Sequence, residues 1–230
     1  NFDDGLMAVY HRGLYMREEG EKHKGEIVIV LFEPEKAEKI FEACMRTGAV
    51  PTNFNSPSQW VVGGSQRELR RFRKIVDGIA TRIIPLPVGV VVHHRFMDGA
   101  ADRFRAYIWD MFLKGKLSDP VCPILMDVSM GRFSYAMTSA METVVLLPYQ
   151  INHPISFANV ANRINFEGLT FEEIGPGSTL KNLLKDSKPI DLSPEERALV
   201  RVWEINRKSW VLGTSILLML IRLFVGRKIM

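Results

Sequence analysis

Cysteine is scarce in this sequence. Its two examples, Cys44 and Cys122, fit neither a zinc-ligand nor a C-x-x-C spacing, which argues against a disulfide scaffold or a thiolate metal site. They read as small buried hydrophobes, in keeping with a reducing compartment, so the expected location is cytoplasmic. Metal spacing is missing among the histidines as well: His11, His23 and His153 have no second ligand at a suitable distance in sequence. There is no internal repeat, no low-complexity tract and no visible signal peptide. No apolar run reaches the roughly 20 residues that span a bilayer. The nearest approach, Trp210 to Val225, is broken by Gly213, Thr214, Ser215 and Arg222. An arginine at mid-membrane costs about 2.5 kcal/mol or more. The 210–226 segment therefore reads as a buried or interface helix, with membrane contact as the alternative.

Charge of one sign is in only slight excess. A net charge of +4 is compatible with an anionic ligand or a membrane surface and requires neither. The densest basic stretch, Arg67 to Lys74, reads as a solvated face. Its single aromatic, Phe72, makes no interleaved pattern and no known nucleic-acid motif is present, so nucleic acid is not an expected partner. With 47% hydrophobic residues, the chain can bury a sizeable core and is not a disordered polymer.

What is present is an alternation of strand-like and helix-like segments. Glu26 to Phe32 is a short β-branched run, expected as a buried strand. Pro34 opens a helical pattern through Ala37, Ile40, Phe41, Cys44 and Met45, which Gly48 ends. Residues 49–59 carry Pro51, Asn53, Asn55 and Pro57 and are expected as a loop. Trp60 to Val62 is a candidate strand. Asp77-Gly78 signals a turn with a hairpin around it. Val88 to Val92 reads as a buried strand, and Ala101, Phe104, Ile108, Met111 and Phe112 as one face of a helix that Gly115 stops. Leu125 to Ser129, Thr143 to Leu147 and Ile155 to Phe157 are further strand candidates. Ser193-Pro194-Glu195-Glu196 opens a C-terminal helix with a capping box.

Between the Val88–Val92 segment and the following helix lies His93-His94-Arg95-Phe96-Met97-Asp98-Gly99. Acyl transfer from a thioester needs a base for the attacking group, donors for the oxyanion, and exclusion of water. Imidazole titrates near neutrality and suits the first task. Asp98 is read as holding the turn by pairing with an arginine, and Gly99 as permitting a tight path into the helix.

His94 to Gly99 resembles the H-x-x-x-D-G motif of the coenzyme A-dependent acyltransferase superfamily, which includes chloramphenicol acetyltransferase. It is most similar to the 2-oxoacid dehydrogenase acyltransferases, whose motif reads D-H-R-x-x-D-G-A. Pro51, Asn55, Pro57, Gln59, Val62 and Gly64 resemble a stretch upstream of that motif. The resemblance covers about residues 50–115. It implies an α/β fold with a mixed sheet flanked by helices, possessing a chloramphenicol acetyltransferase-like order or a rearrangement of it. It implies His94 as general base, Asp98 as organiser through an ionic contact, and His93, Arg95 and Gly99 as supporting motif residues. Coenzyme A would enter as the acyl-CoA substrate, without a metal, and a small thiol or hydroxyl would accept the acyl group. A homo-oligomer, with a trimer favoured, is the implied assembly. In that superfamily the motif lies near the domain's C-terminus, whereas here more than a hundred residues follow Gly99. Ser134, Thr138 and Ser139 are the candidate oxyanion donors in that stretch. The expected organisation is an acyltransferase-like domain over 1–190 and a helical region over 191–230. The alternative function is an inactive scaffold of the same fold with a structural or membrane-tethered role.

Overall fold

A computed structural model describes residues 1–187 apart from 123, 131–132, 138, 168–170 and 175–176. The chain divides after Pro189, and the unit beyond it lies outside the described residues, as do the Ser193 capping box and the 210–226 segment. Among the described residues no helix is long and apolar enough to cross a membrane.

A mixed sheet flanked by helices organises the described part. Its strands are β1 (Glu26–Leu31), β2 (Val50–Ser56), β3 (Gln59–Gly64), β4 (Arg82–Leu86) and β7 (Ile155–Ser156), in the order β4-β1-β3-β2-β7. All pairs are antiparallel except β2 with β7. β1 is central and covered on both faces, which accounts for its unbroken apolar run. Val28 and Val30 join Phe32, Ile40, Leu69 and Phe72 under helices α2 (Ala37–Thr47) and α3 (Gln66–Ile75). Ile27 and Ile29 face the other way, toward Val61, Val91 and Phe96. A second cluster fills the space between α1 (Phe2–Lys22), α4 (Asp98–Leu113) and α5 (Ala140–Asn152), with Phe104, Ile108 and Ile151 buried in it. A hairpin of β5 (Ile124–Met130) and β6 (Phe133–Met137) and the helices α6 (Phe157–Glu167) and α7 (Thr179–Asp186) complete the described part.

Several local expectations give way to tertiary structure. Residues 50–56 are a strand despite their loop-forming composition. Pro51 is tolerated because β7 pairs only with Asn53 and Phe54, leaving Pro51 no ladder partner to lose on that side. The basic stretch forms α3, fixed by a reciprocal cap between Ser65 and Glu68, so Asp77-Gly78 ends a helix and does not close a hairpin. Thr143 to Leu147 lies inside α5, where a second capping box, Ser139 with Glu142, overrides the β-branched side chains. The polar first 22 residues form α1. Its inner face mixes Ala8, Tyr15 and Met16 with polar groups, so no clean period shows. Val88 to Val92 is not a strand: the chain bends at Gly89 and Val90 and pairs with none of the strands. It crosses the sheet: a Cβ on Gly63 would lie 2.6 Å from Val91 Cγ1, and one on Gly20 would overlap Val90.

Candidate functional site

The site grows from the C-terminal end of α5. The last carbonyls of a helix have no partner within it. Here His93 takes two of them: its backbone N–H donates to the Ile151 carbonyl at 2.9 Å, and its ring Nδ1 lies 2.6 Å from the Gln150 carbonyl. His93 reaches both by adopting a left-handed backbone conformation, with φ of 56°. Non-glycine residues seldom do so, and such strain concentrates where surrounding structure enforces it. A carbonyl oxygen only accepts, so Nδ1 carries the ring proton and Nε2 holds the basic lone pair. Burial lowers the His93 pKa, while the Gln150 carbonyl and the Asp127 carboxylate oppose that shift and Arg12 adds to it.

The adjacent histidine has the opposite polarity. The buried His94 caps the 3₁₀ turn that follows it, its Nδ1 accepting from Phe96 N–H at 3.1 Å. In the neutral ring the proton therefore sits on Nε2. That atom is sealed from solvent and has no hydrogen-bond partner among the described residues. Desolvation, with the Arg95 charge beside it, pushes the His94 pKa down to about 4.

Gln150 links this corner to two charged residues from other elements. Its side-chain Nε2 donates to Asp127 Oδ1 on β5 at 2.7 Å, and its Oε1 accepts from Arg12 Nη2 on α1 at 3.4 Å. The two partners fix the amide orientation, since arginine only donates and carboxylate only accepts. Burial lowers the Arg12 pKa and the nearby Asp127 charge opposes it. The guanidinium remains charged and offers a planar fork of donors to a carboxylate.

The remaining motif residues hold structure. Asp98 is exposed and accepts from the Asn152 side-chain amide at 2.7 Å, in place of the expected arginine pairing. This contact ties the start of α4 to the end of α5. Arg95 is exposed. A Cβ on Gly99 would fall 2.5 Å from the buried Glu19 carboxylate, so a larger residue there would have to displace the end of that side chain. The Ser139 hydroxyl accepts from Glu142 N–H as the cap of α5. The backbone of Ser134 lies in β6, and Thr138 lies outside the described residues. Arg12, Asp127 and Gln150 escaped the sequence reading because they are single polar residues on three separated elements. A histidine pair before a helix was the only local signal at this corner. Among the described residues no cluster of His, Cys, Asp and Glu side chains is placed to hold a metal ion.

No protein-family model matches the chain. It is 29% identical over 189 residues to the malonyl CoA-acyl carrier protein transacylase of Salmonella typhimurium, covering 80% of this chain and 59% of that protein. It is 27% identical over 190 residues to the Bacillus subtilis protein of the same description, covering 80% and 57%. Among solved structures, a malonyl-transacylase in complex with a type II polyketide acyl-carrier protein matches with a TM-score of 0.71 at 27% identity, over 81% of this chain and 59% of that one. The malonyl CoA-acyl carrier protein transacylase from Coxiella burnetii matches with a TM-score of 0.69 at 25% identity, over 81% and 58%. The chain thus spans a little under three fifths of the length of these relatives. These likenesses overturn the resemblance to the chloramphenicol acetyltransferase and 2-oxoacid dehydrogenase acyltransferase superfamily. The local geometry agrees: the six-residue pattern begins in unpaired chain, its aspartate lacks the expected arginine partner, and its histidine presents no lone pair at Nε2.

Proposed function

We propose that this chain carries the acid–base and carboxylate-binding part of an acyl transfer site, moving a malonyl group between coenzyme A and the thiol of an acyl carrier protein. The observation that carries the reading is the His93 ring, with Nδ1 held by the Gln150 carbonyl and Arg12 one hydrogen bond away on the same glutamine. Its support is the similarity to proteins described as malonyl CoA-acyl carrier protein transacylases.

In this reading His93, and not His94, is the general base. Nε2 takes the proton of the attacking thiol or hydroxyl as that group bonds to the thioester carbonyl carbon. The carbon–sulfur bond to coenzyme A then breaks, and the departing sulfur recovers the proton from Nε2. The proton on Nδ1 stays there throughout, donated to the Gln150 carbonyl. A lowered histidine pKa keeps Nε2 unprotonated at neutral pH. Arg12 receives the free carboxylate of the malonyl group, which an acetyl group lacks. Coenzyme A is a substrate here, and acyl carrier protein is the macromolecular partner.

The test is release of free coenzyme A from malonyl-CoA in the presence of acyl carrier protein. His93→Ala is expected to lower kcat by at least about a hundredfold, the usual scale of general-base loss. His94→Asn, which can still accept from Phe96 N–H, is expected to keep kcat within about threefold. Arg12→Ala is expected to remove the preference for malonyl over acetyl thioester. Full activity in His93→Ala would reject the assignment.

A further inference from the structure

Asp127 lies outside every motif in the sequence, yet it closes the chain of contacts behind His93. Its carboxylate accepts from the Gln150 side chain at 2.7 Å, the backbone carbonyl of that glutamine accepts from His93 Nδ1 at 2.6 Å, and Arg12 donates to the other end of the same amide at 3.4 Å. We infer that Asp127 is a positioning residue for the transfer reaction, fixing Gln150 so that the base and the carboxylate-binding guanidinium keep one mutual geometry, and balancing the charge of Arg12. The inference rests on the function proposed above.

The physical argument has two parts. A glutamine amide with only Arg12 as partner is free to rotate, and its rotation carries away the oxygen that holds Arg12 near the carbonyl on which His93 rests. Asp127 supplies the acceptor that stops it, because the amide then has a donor on one side and an acceptor on the other. The same carboxylate is a negative charge close enough to act on both His93 and Arg12. It favours the protonated form of His93 and offsets Arg12, whose charge disfavours that form. With Arg12 partly balanced, a malonyl carboxylate is held less tightly in the ground state than by a bare guanidinium, so less binding energy is spent before the transition state.

Two variants separate the parts. Asp127→Asn keeps an oxygen that accepts from Gln150 and loses the charge; Asp127→Ala loses both. The titration of the His93 ring, followed by NMR through its Cε1–H signal, is expected at lower pH in both variants than in the unsubstituted chain. The acid limb of kcat/KM is expected to move the same way. KM for malonyl-CoA is expected to fall about threefold in Asp127→Asn, with acetyl-CoA unaffected. In Asp127→Ala, kcat is expected to drop about fivefold beyond that of Asp127→Asn, the scale of one lost hydrogen bond. Thermal unfolding identifies a variant that has not folded, in which case the other one decides. A His93 titration and a malonyl-CoA KM that both stay in place in the folded variants would overturn the inference. Absence of malonyl transfer by the unsubstituted chain would instead reject the function, and the NMR titration would still decide whether Asp127 acts on His93.

Discussion

Two histidines, adjacent in sequence and both buried, have opposite hydrogen-bond polarity. His93 turns its proton toward a carbonyl, and His94 turns its lone pair toward an amide. Sequence alone shows that a histidine is present and cannot show which nitrogen is occupied, because the partners come from residue 150 in one case and residue 96 in the other. His94 still leaves a measurable mark. Its folded pKa of about 4 lies below its ordinary 6.5, so the unfolded chain binds its proton first as pH falls. The stability gained by keeping it neutral is present above about pH 6.5 and lost as pH drops through about 4. Unfolding free energy in urea should therefore decline over that window, with an upper bound on the order of 3 kcal/mol. His94→Asn should flatten the decline relative to the unsubstituted chain, and equal slopes in the two would remove His94 as its source.

Helix α5 depends on its two ends in different ways. Its N-terminus is secured by Ser139 and Glu142, and its C-terminus by His93 and by Asn152 on Asp98. If Ser139 serves only as a cap, Ser139→Ala should cost about 1 kcal/mol of stability and leave kcat within about twofold. A large loss of kcat with unchanged stability would return Ser139 to the role of oxyanion donor. Element by element, the sequence was legible where one rule acted alone. β1, α2 and α4 follow from apolar pattern and glycine stops, and their bounds fall close to the expected ones. It was illegible where a distant contact decided. Pro51 sits in β2 because of where β7 ends. The helix at Val144 is a different case, since its cap, Ser139 with Glu142, is a local signal that the β-branched residues masked. Val91 packs across the sheet because Gly25 and Gly63 leave room for its side chain.

Over the whole described part, one large apolar cluster packs on the sheet and another packs among helices, with the smaller Ile27, Val61 and Val91 cluster on the sheet's second face. Phe72 belongs to the cluster under α2 and α3, and Phe104 to the one formed by α1, α4 and α5. Both rings are almost fully buried. Phe72→Leu and Phe104→Leu should each destabilise by roughly 1–2 kcal/mol. Residues without shared partners add, so the double variant should equal the sum within about 0.5 kcal/mol by chemical denaturation. A larger departure would mean that strain passes from one cluster to the other. The α/β class could be anticipated from patterning. The site could not, because Arg12, His93, Asp127 and Gln150 come together only when α1, the crossing segment, β5 and α5 have packed.

His93 is a helix terminator and, in the proposed reaction, also a base, and the two tasks fall on different nitrogens. Imidazole and imidazolium both carry hydrogen at Nδ1, so the latch on α5 stays shut in either charge state. Proton traffic at Nε2 can therefore run through many cycles without opening the fold. A modification confined to Nδ1 would strip the Gln150 carbonyl of its donor and loosen the end of α5, while leaving the basic nitrogen chemically intact.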